Sequence, residues 1–456
     1  MIFNDFHFAF LFLPVVCAFF FLPVLSQHRH WTLLISSFVF YGASGMQHLL
    51  CLLIGIAWVY VWTRGTNIVG NRRVLVVAIA IPLSLLFYFK YLGFFLNSVS
   101  GWSGSADVKF DLFDDILLPA GISFFTFQMI GFAIDRYRGQ HINVPNFSQF
   151  ALYISFFPQL VAGPIVRFSQ VSEAIAQLVQ YRLRTEDASA AIAYITLGLA
   201  AKVLLADTLS NLISPMAAAP GDVTKTDAFY IIFGYSFQIY FDFYGYSLIA
   251  IGLGRLFGFH LPVNFNRPYS ALNPQDFWRR WHMTLSYWLR DYLYVPLGGN
   301  RRYMRNILII FALCGLWHGA GWNFVIWGVY HAALVAGYRT LHQGWDRMPN
   351  LIQIACNFLF VSVGWLFFLF DFIQFQSFIG ALLNNNGSIV GTTTPEHWGI
   401  LAISAVICFA VRFDKIISAT EPARQTTVLR PLAFAGLFLL TLLFFDRSQD
   451  FIYFRF

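Results

Sequence analysis

The chain has 456 residues, of which 58% are hydrophobic, 19% aromatic and only 11% charged. Soluble domains carry about 25% charged residues, so the composition excludes a water-soluble protein and makes the bilayer the solvent. The net charge of +7 comes from 24 arginines against 5 lysines, placed in short loops and at helix ends, which suits lipid headgroups and membrane topology rather than nucleic acid.

Crossing about 30 Å of hydrocarbon takes about 20 helical residues. Apolar stretches recur near residues 7–25, 31–62, 74–96, 146–166, 188–214, 228–258, 306–338, 351–383, 398–411 and 431–445, with a further one near 117–134. They predict an all-α polytopic membrane protein with roughly 10–12 transmembrane helices. The first stretch, FAFLFLPVVCAFFFLPVL, has no basic region before it and no small-residue cleavage site after it, so it reads as a retained span. With no hydrophilic stretch long enough for a second folded domain and no repeat or low-complexity tract, residues 1–456 read as a single membrane-embedded domain. Cys17, Cys51, Cys314, Cys356 and Cys408 are scattered with no paired or metal-type spacing, which argues against disulfides and a metal site.

Basic short loops tend to stay cytoplasmic. On that rule the loops with Arg64, Arg72 and Arg73, with Arg301, Arg302 and Arg305, and with Arg412, Lys415, Arg424 and Arg430 lie inside, and 97–115 and 384–396 face outward. If 301–305 and 341–350 are both inside, the apolar stretch between them turns back, and Gly319 and Gly321 mark the break. Broken helices at membrane depth are tolerated only where they are buried in protein or line a cavity.

Two stretches carry polar residues that lipid would reject. In DFWRRWHMTLSYWLRDYLYVPLGGNRR, residues 276–302, helical periodicity puts Trp278, Trp281, Leu285, Trp288 and Tyr292 on one face. Arg279, His282, Ser286 and Arg290 fall within about 80° on another. This is expected to be an amphipathic helix at the headgroups or beside a wet cavity, with the arginines suited to phosphates. In LWHGAGWNFVIWG, residues 316–328, His318 lies deep in an apolar run. An ionisable residue at that depth is costly and points to function, and neutral imidazole takes a proton from a hydroxyl, as general-base catalysis requires. Asn323 is a candidate to bind a carbonyl or orient the imidazole, and Cys314 reads as a small buried residue. Asp242, an isolated carboxylate in an aromatic segment, is expected to cap, to pair with an arginine or to face a cavity.

GISFFTFQMIGFAIDRYRG (121–139), FFPQLVAGPIVR (156–167), NFNRPY (264–269), DFWRRWHMTLSYWLRDYLYVPLGGNR (276–301) and LWHGAGWNFVIWG (316–328) closely resemble the membrane-bound O-acyltransferase family. They look most like its bacterial branch that acetylates alginate, and MIFNDFHFAFLFLP and FIYFRF at the two ends extend the resemblance over essentially the whole chain. The resemblance implies tilted helices, some amphipathic or re-entrant, enclosing a central funnel. It makes His318 the catalytic residue and His282 a supporting one, with Arg279, Arg280, Trp281, Trp317 and Asn323 as substrate-binding candidates. It also implies a thioester donor on the cytoplasmic side of the bacterial inner membrane, acetyl-CoA, with no bound cofactor. The acceptor would be a hydroxyl of an exported polysaccharide of alginate or cellulose type, reached with periplasmic acetyltransferase partners. D-alanyl transfer to an envelope polymer is the alternative within the family. A transporter is the alternative outside it, disfavoured because neither histidine motif has a second copy. One position departs from the branch: GYSLIAIG carries Leu248 where GYSDMAIG has aspartate.

Overall fold

The computed structural model describes residues 3–102, 117–140, 144–384, 391–418, 429–447, 449, 451 and 452. Of the expected outward loops 97–115 and 384–396, residues 103–115 and 385–390, together with Arg424 and the last four residues, lie outside the described residues. Every regular element among the described residues is helical. That follows from the solvent, since a backbone in hydrocarbon has no water to bond and helices satisfy their own N–H and C=O groups.

Four helices are long and apolar enough to cross a membrane: Met46–Thr63, Arg72–Ser100, Thr185–Ala218 and Asn350–Leu369. A fifth span arises if the pair Phe8–Phe21 and Pro23–Gly42, bent by 97°, is counted as one. Several apolar stretches are therefore interrupted within the described residues. Pro23 forces the residue before it out of the helical region, and Leu22 is extended at ψ 119°. The 31–62 stretch breaks at Gly45, whose φ of +139° suits glycine.

The chain divides into two units, Met1–Ala191 with Ala250–Pro262, and Ile192–Ile249 with Val263–Phe456. In the first, a π-helical turn leads into α1 (Leu13–Phe21), followed by α2 (Arg29–Gly42), α3 (Met46–Thr63), α4 (Arg72–Leu86), α5 (Leu92–Trp102), α6 (Ile122–Tyr137), α7 (Phe147–Ser155), α8 (Phe157–Leu160) and α9 (Phe168–Gln177). The Phe12 and Phe157 rings meet edge to face at 5.4 Å, and Phe40 lies 5.8 Å from each. Arg136 donates from Nε to Thr63 O and from Nη2 to Gly65 O, both at 3.0 Å, and so satisfies carbonyls at the end of α3 that have no helical partner. Two of the motif stretches meet at Gly121, where a Cβ would stand 2.6 Å from Leu160 O.

The second unit holds most of α10 (Thr185–Leu199), α11 (Thr208–Ala218) and most of α12 (Lys225–Leu256), with a π-helical segment at Ala200–Asp207 between the first two. Then come α13 (Pro274–Arg280), α14 (Met283–Leu289), α15 (Tyr303–His318), α16 (Trp322–Trp345), α17 (Asn350–Leu369), α18 (Phe372–Asn384), α19 (Pro395–Ala410), α20 (Phe413–Ser418) and α21 (Leu429–Leu443). Small residues let these helices touch backbone to backbone: a Cβ at Gly198 would lie 2.6 Å from Gly245 O. Leu248 is buried with Ala193, Leu197 and Ile417 in an apolar cluster, so the position that departs from the branch sits in apolar packing here.

Candidate active site

The expected single amphipathic helix over 276–302 does not form, because the chain breaks at Trp281 and His282 between α13 and α14. Another motif takes over the hydrogen bonds at the break. Asn266 N donates to Arg280 O, Met283 N donates to Asn264 O, and Thr284 N donates to Asn264 Oδ1 at 3.2 Å. His282 itself adopts left-handed backbone, φ 42° and ψ 54°, a costly conformation for a non-glycine residue and one that clusters at functional sites. Arg267, in the same NFNRPY stretch, has φ 47°.

Asn264 also fixes the His282 ring. Its Oδ1 accepts from Thr284 Oγ1 at 2.9 Å and lies 3.2 Å from His282 Nδ1. Because the Thr284 amide can only donate, the atom facing it is the carboxamide oxygen, so a neutral His282 carries its proton on Nδ1 and leaves Nε2 as the acceptor. His282 is fully buried, with its ring 4.7 Å from that of Phe243.

His318 comes from a second break. Helix α15 ends on it, Gly319 and Gly321 are extended, and α16 starts at Trp322. The turn-back expected at these glycines is present as a helical hairpin whose far ends meet, with the Arg339 guanidinium 3.9 Å above the Tyr303 ring. The hairpin is tight because it has no side chains at two crossings: a Cβ at Gly315 would stand 2.1 Å from Phe324 O, and one at Gly328 2.0 Å from Phe311 O.

The two breaks bring His282 and His318 together with ring centroids 6.5 Å apart. Trp317 meets both, at 4.8 Å from His318 and 5.9 Å from His282. Phe368 and Trp327 each pack at 5.2 Å against His318, which is 3% exposed. The arrangement is a pair of imidazoles in an aromatic cage where a proton acceptor is shielded from bulk water.

The other candidates make the following contacts. Trp281 is fully buried in an aromatic core, 4.8 Å from Trp365 and 5.0 Å from Phe265. Asn323 donates from Nδ2 to Phe367 O at 2.9 Å, which ties the start of α16 to α17. Arg280 bonds Asp276 at 2.9 Å, Arg290 bonds Asp291 at 2.6 Å, and Arg279 is exposed. Cys314 is buried.

The sequence reading passed over His331, Lys202 and Asp207. His331 is fully buried one turn beyond Trp327, with its ring 4.8 Å from Trp327 and 5.1 Å from Trp278. Asp242 pairs with a lysine rather than an arginine: Lys202 Nζ lies 2.6 Å from both Asp242 Oδ1 and Asp207 Oδ1, all three side chains being at most 3% exposed. Asp242 Oδ2 also accepts from Ile452 N at 2.7 Å. The signal was present, since Lys202 and Asp207 are charges inside the apolar stretch 188–214.

Fold and site define a polytopic helical membrane protein in which two of the buried histidines, His282 and His318, are each delivered by a break in the chain. Residues 137–373, more than half of the chain and including both histidines, match the membrane-bound O-acyltransferase family, and the chain belongs to that family. It is 37% identical to a probable alginate O-acetylase of Pseudomonas aeruginosa, over 82% of this chain and 73% of the relative. It is 34% identical to a peptidoglycan O-acetyltransferase of Helicobacter pylori, over 81% and 77%. Similarity to a teichoic acid D-alanyltransferase of Bacillus subtilis is 28%, over 54% and 68%. The protein is thus a multi-pass membrane O-acyltransferase.

Proposed function

We propose that the protein moves an acetyl group from acetyl-CoA on the cytoplasmic side of the bacterial inner membrane to a hydroxyl of an exported polysaccharide of alginate or cellulose type. Periplasmic acetyltransferase partners finish the transfer. The observation that carries this reading is the buried pair His318 and His282, 6.5 Å apart in one aromatic cage. Acetyl is favoured over D-alanyl because the two acetyl-transferring relatives align over about four-fifths of the chain and the D-alanyl one over 54%.

In this mechanism neutral His318 removes the proton of the acceptor hydroxyl as its oxygen attacks the thioester carbonyl. A carbon–oxygen bond forms, the carbon–sulfur bond breaks, and the proton passes from His318 to the departing thiolate, giving an O-acetyl ester and free CoA. His282, oriented through Asn264, supports the attack, and Trp317 packs against both rings. Arg279, exposed on α13, meets a phosphate of the donor.

The test uses the purified full chain in nanodiscs with acetyl-CoA and either a saccharide acceptor or a partner acetyltransferase, following free CoA and acetylated product. His318→Ala is expected to abolish both while still accumulating in the membrane. Undiminished transfer by that variant removes His318 from the mechanism.

A further inference from the structure

His318 is enclosed by rings, and what stands behind each ring differs. Trp317 is shared with His282. Trp327, fully buried, is backed by Trp278, His331 and Trp365, whose rings lie 5.6, 4.8 and 5.7 Å from it. Phe368, 5.2 Å from His318, is backed by space. It borders a cavity of about 290 Å³ whose other walls include Ile213, Ala217 and Leu369 together with Ser214 and Gln238. On that side the cage around His318 is one side chain thick.

A thioester carbonyl within reach of His318 carries its acyl chain into this cage. An acetyl group ends after one methyl, whereas every further methylene has to pass a ring, and one methylene more or less than a pocket accepts is worth about 10–200-fold in rate. Phe368 is not free to swing aside, since its ring is held by Trp327 at 4.8 Å, Phe324 at 5.0 Å and Trp365 at 5.3 Å. The opposite side cannot close up either, because α15 and α16 are already in backbone contact at Gly315 and Gly328. Truncating Phe368 therefore leaves a lasting opening between cage and cavity, as happens wherever the surroundings of a deleted side chain relax only in part.

We infer that Phe368 is the residue that limits the transferred acyl group to about the size of acetyl, by closing the cage around His318 against a cavity with room for a longer chain. The inference rests on the acetyl-CoA reading above, and the test separates the two. Acetyl-, propionyl-, butyryl- and hexanoyl-CoA are supplied in turn to the full chain in nanodiscs with the acceptor or partner acetyltransferase held fixed, and kcat/KM for each is taken from CoA release. The wild-type chain is expected to favour acetyl over butyryl by about 100-fold or more, at tenfold or more for each added methylene. Phe368→Ala is expected to raise the butyryl-to-acetyl ratio about tenfold or more. Adding Ala217→Phe, which fills the cavity, is expected to bring that ratio down again. If Phe368→Ala does not accumulate, Phe368→Leu, which keeps an apolar body but drops the outer edge of the ring, is expected to raise the propionyl-to-acetyl ratio about fourfold, the worth of one buried methylene. Unchanged ratios with acetyl-CoA still turned over, or an equal loss with all four thioesters, overturn the role of Phe368 and leave the acetyl-CoA reading standing. No CoA release from any thioester by the wild-type chain overturns both.

Discussion

Replacing Gly315 with alanine tests whether backbone contact between α15 and α16 sets the position of His318. The new Cβ would lie 2.1 Å from Phe324 O and 2.9 Å from its carbonyl carbon. An ordinary carbon–oxygen contact is about 3.3–3.6 Å, so one helix must retreat by more than about 1 Å. A helical carbonyl cannot swing aside as a side chain can, and overpacking of this kind costs about 1–3 kcal/mol. His318 is three residues on, within the same helical turn, and a misplacement of about 1 Å costs a reacting group about 10²-fold in rate. Acyl transfer per mole of membrane protein, with melting in detergent, is the assay. Gly337→Ala is the control: in the same α16, its Cβ would meet nothing within 4 Å. It is expected to keep full activity and to gain up to about 1 kcal/mol of stability. Wild-type turnover and melting in Gly315→Ala would refute the idea that this crossing positions His318.

Other expectations follow from the same contacts. Asn264→Ala leaves the Thr284 N–H and the His282 Nδ1–H without their acceptor, at about 1–3 kcal/mol for each buried donor, so both melting temperature and transfer rate fall. Lys202→Met confronts two buried carboxylates with no cation and costs about 3–5 kcal/mol, read as lost accumulation or a large drop in melting temperature; unchanged melting would mean the pair is not buried as described. Leu248→Asp restores the aspartate of the branch but places an unpaired carboxylate against Ala193, Leu197 and Ile417. Burial of such a charge is strongly unfavourable, so accumulation in the membrane is expected to fall, and normal accumulation would reveal a cation within reach.

Much of the site was legible in the sequence because lipid makes polarity expensive. His318 stood out as an ionisable group in an apolar run, and the glycines beside it marked the break that carries it to the tip of the hairpin. Helical periodicity failed at 276–302. It assumes that each N–H bonds its own helix, whereas here Met283 and Thr284 bond Asn264, 19 and 20 residues away in sequence. A residue that unwinds a helix from a distance leaves no period in the helix it unwinds. Nor does any local pattern announce that Trp281 packs on Trp365 or that Asn323 donates to the Phe367 carbonyl.

The amino-acid sequence by itself determined the solvent, the all-helical architecture and the two histidine motifs, since these depend on composition and on short-range pattern. Only the tertiary structure decided that the two histidines lie 6.5 Å apart, that Asp242 neutralises Lys202 rather than an arginine, and that a cavity ends on the ring beside His318. Those are meetings of residues 36 or more positions apart, and they depend on how closely glycine-lined helices approach one another, a distance set in three dimensions by packing.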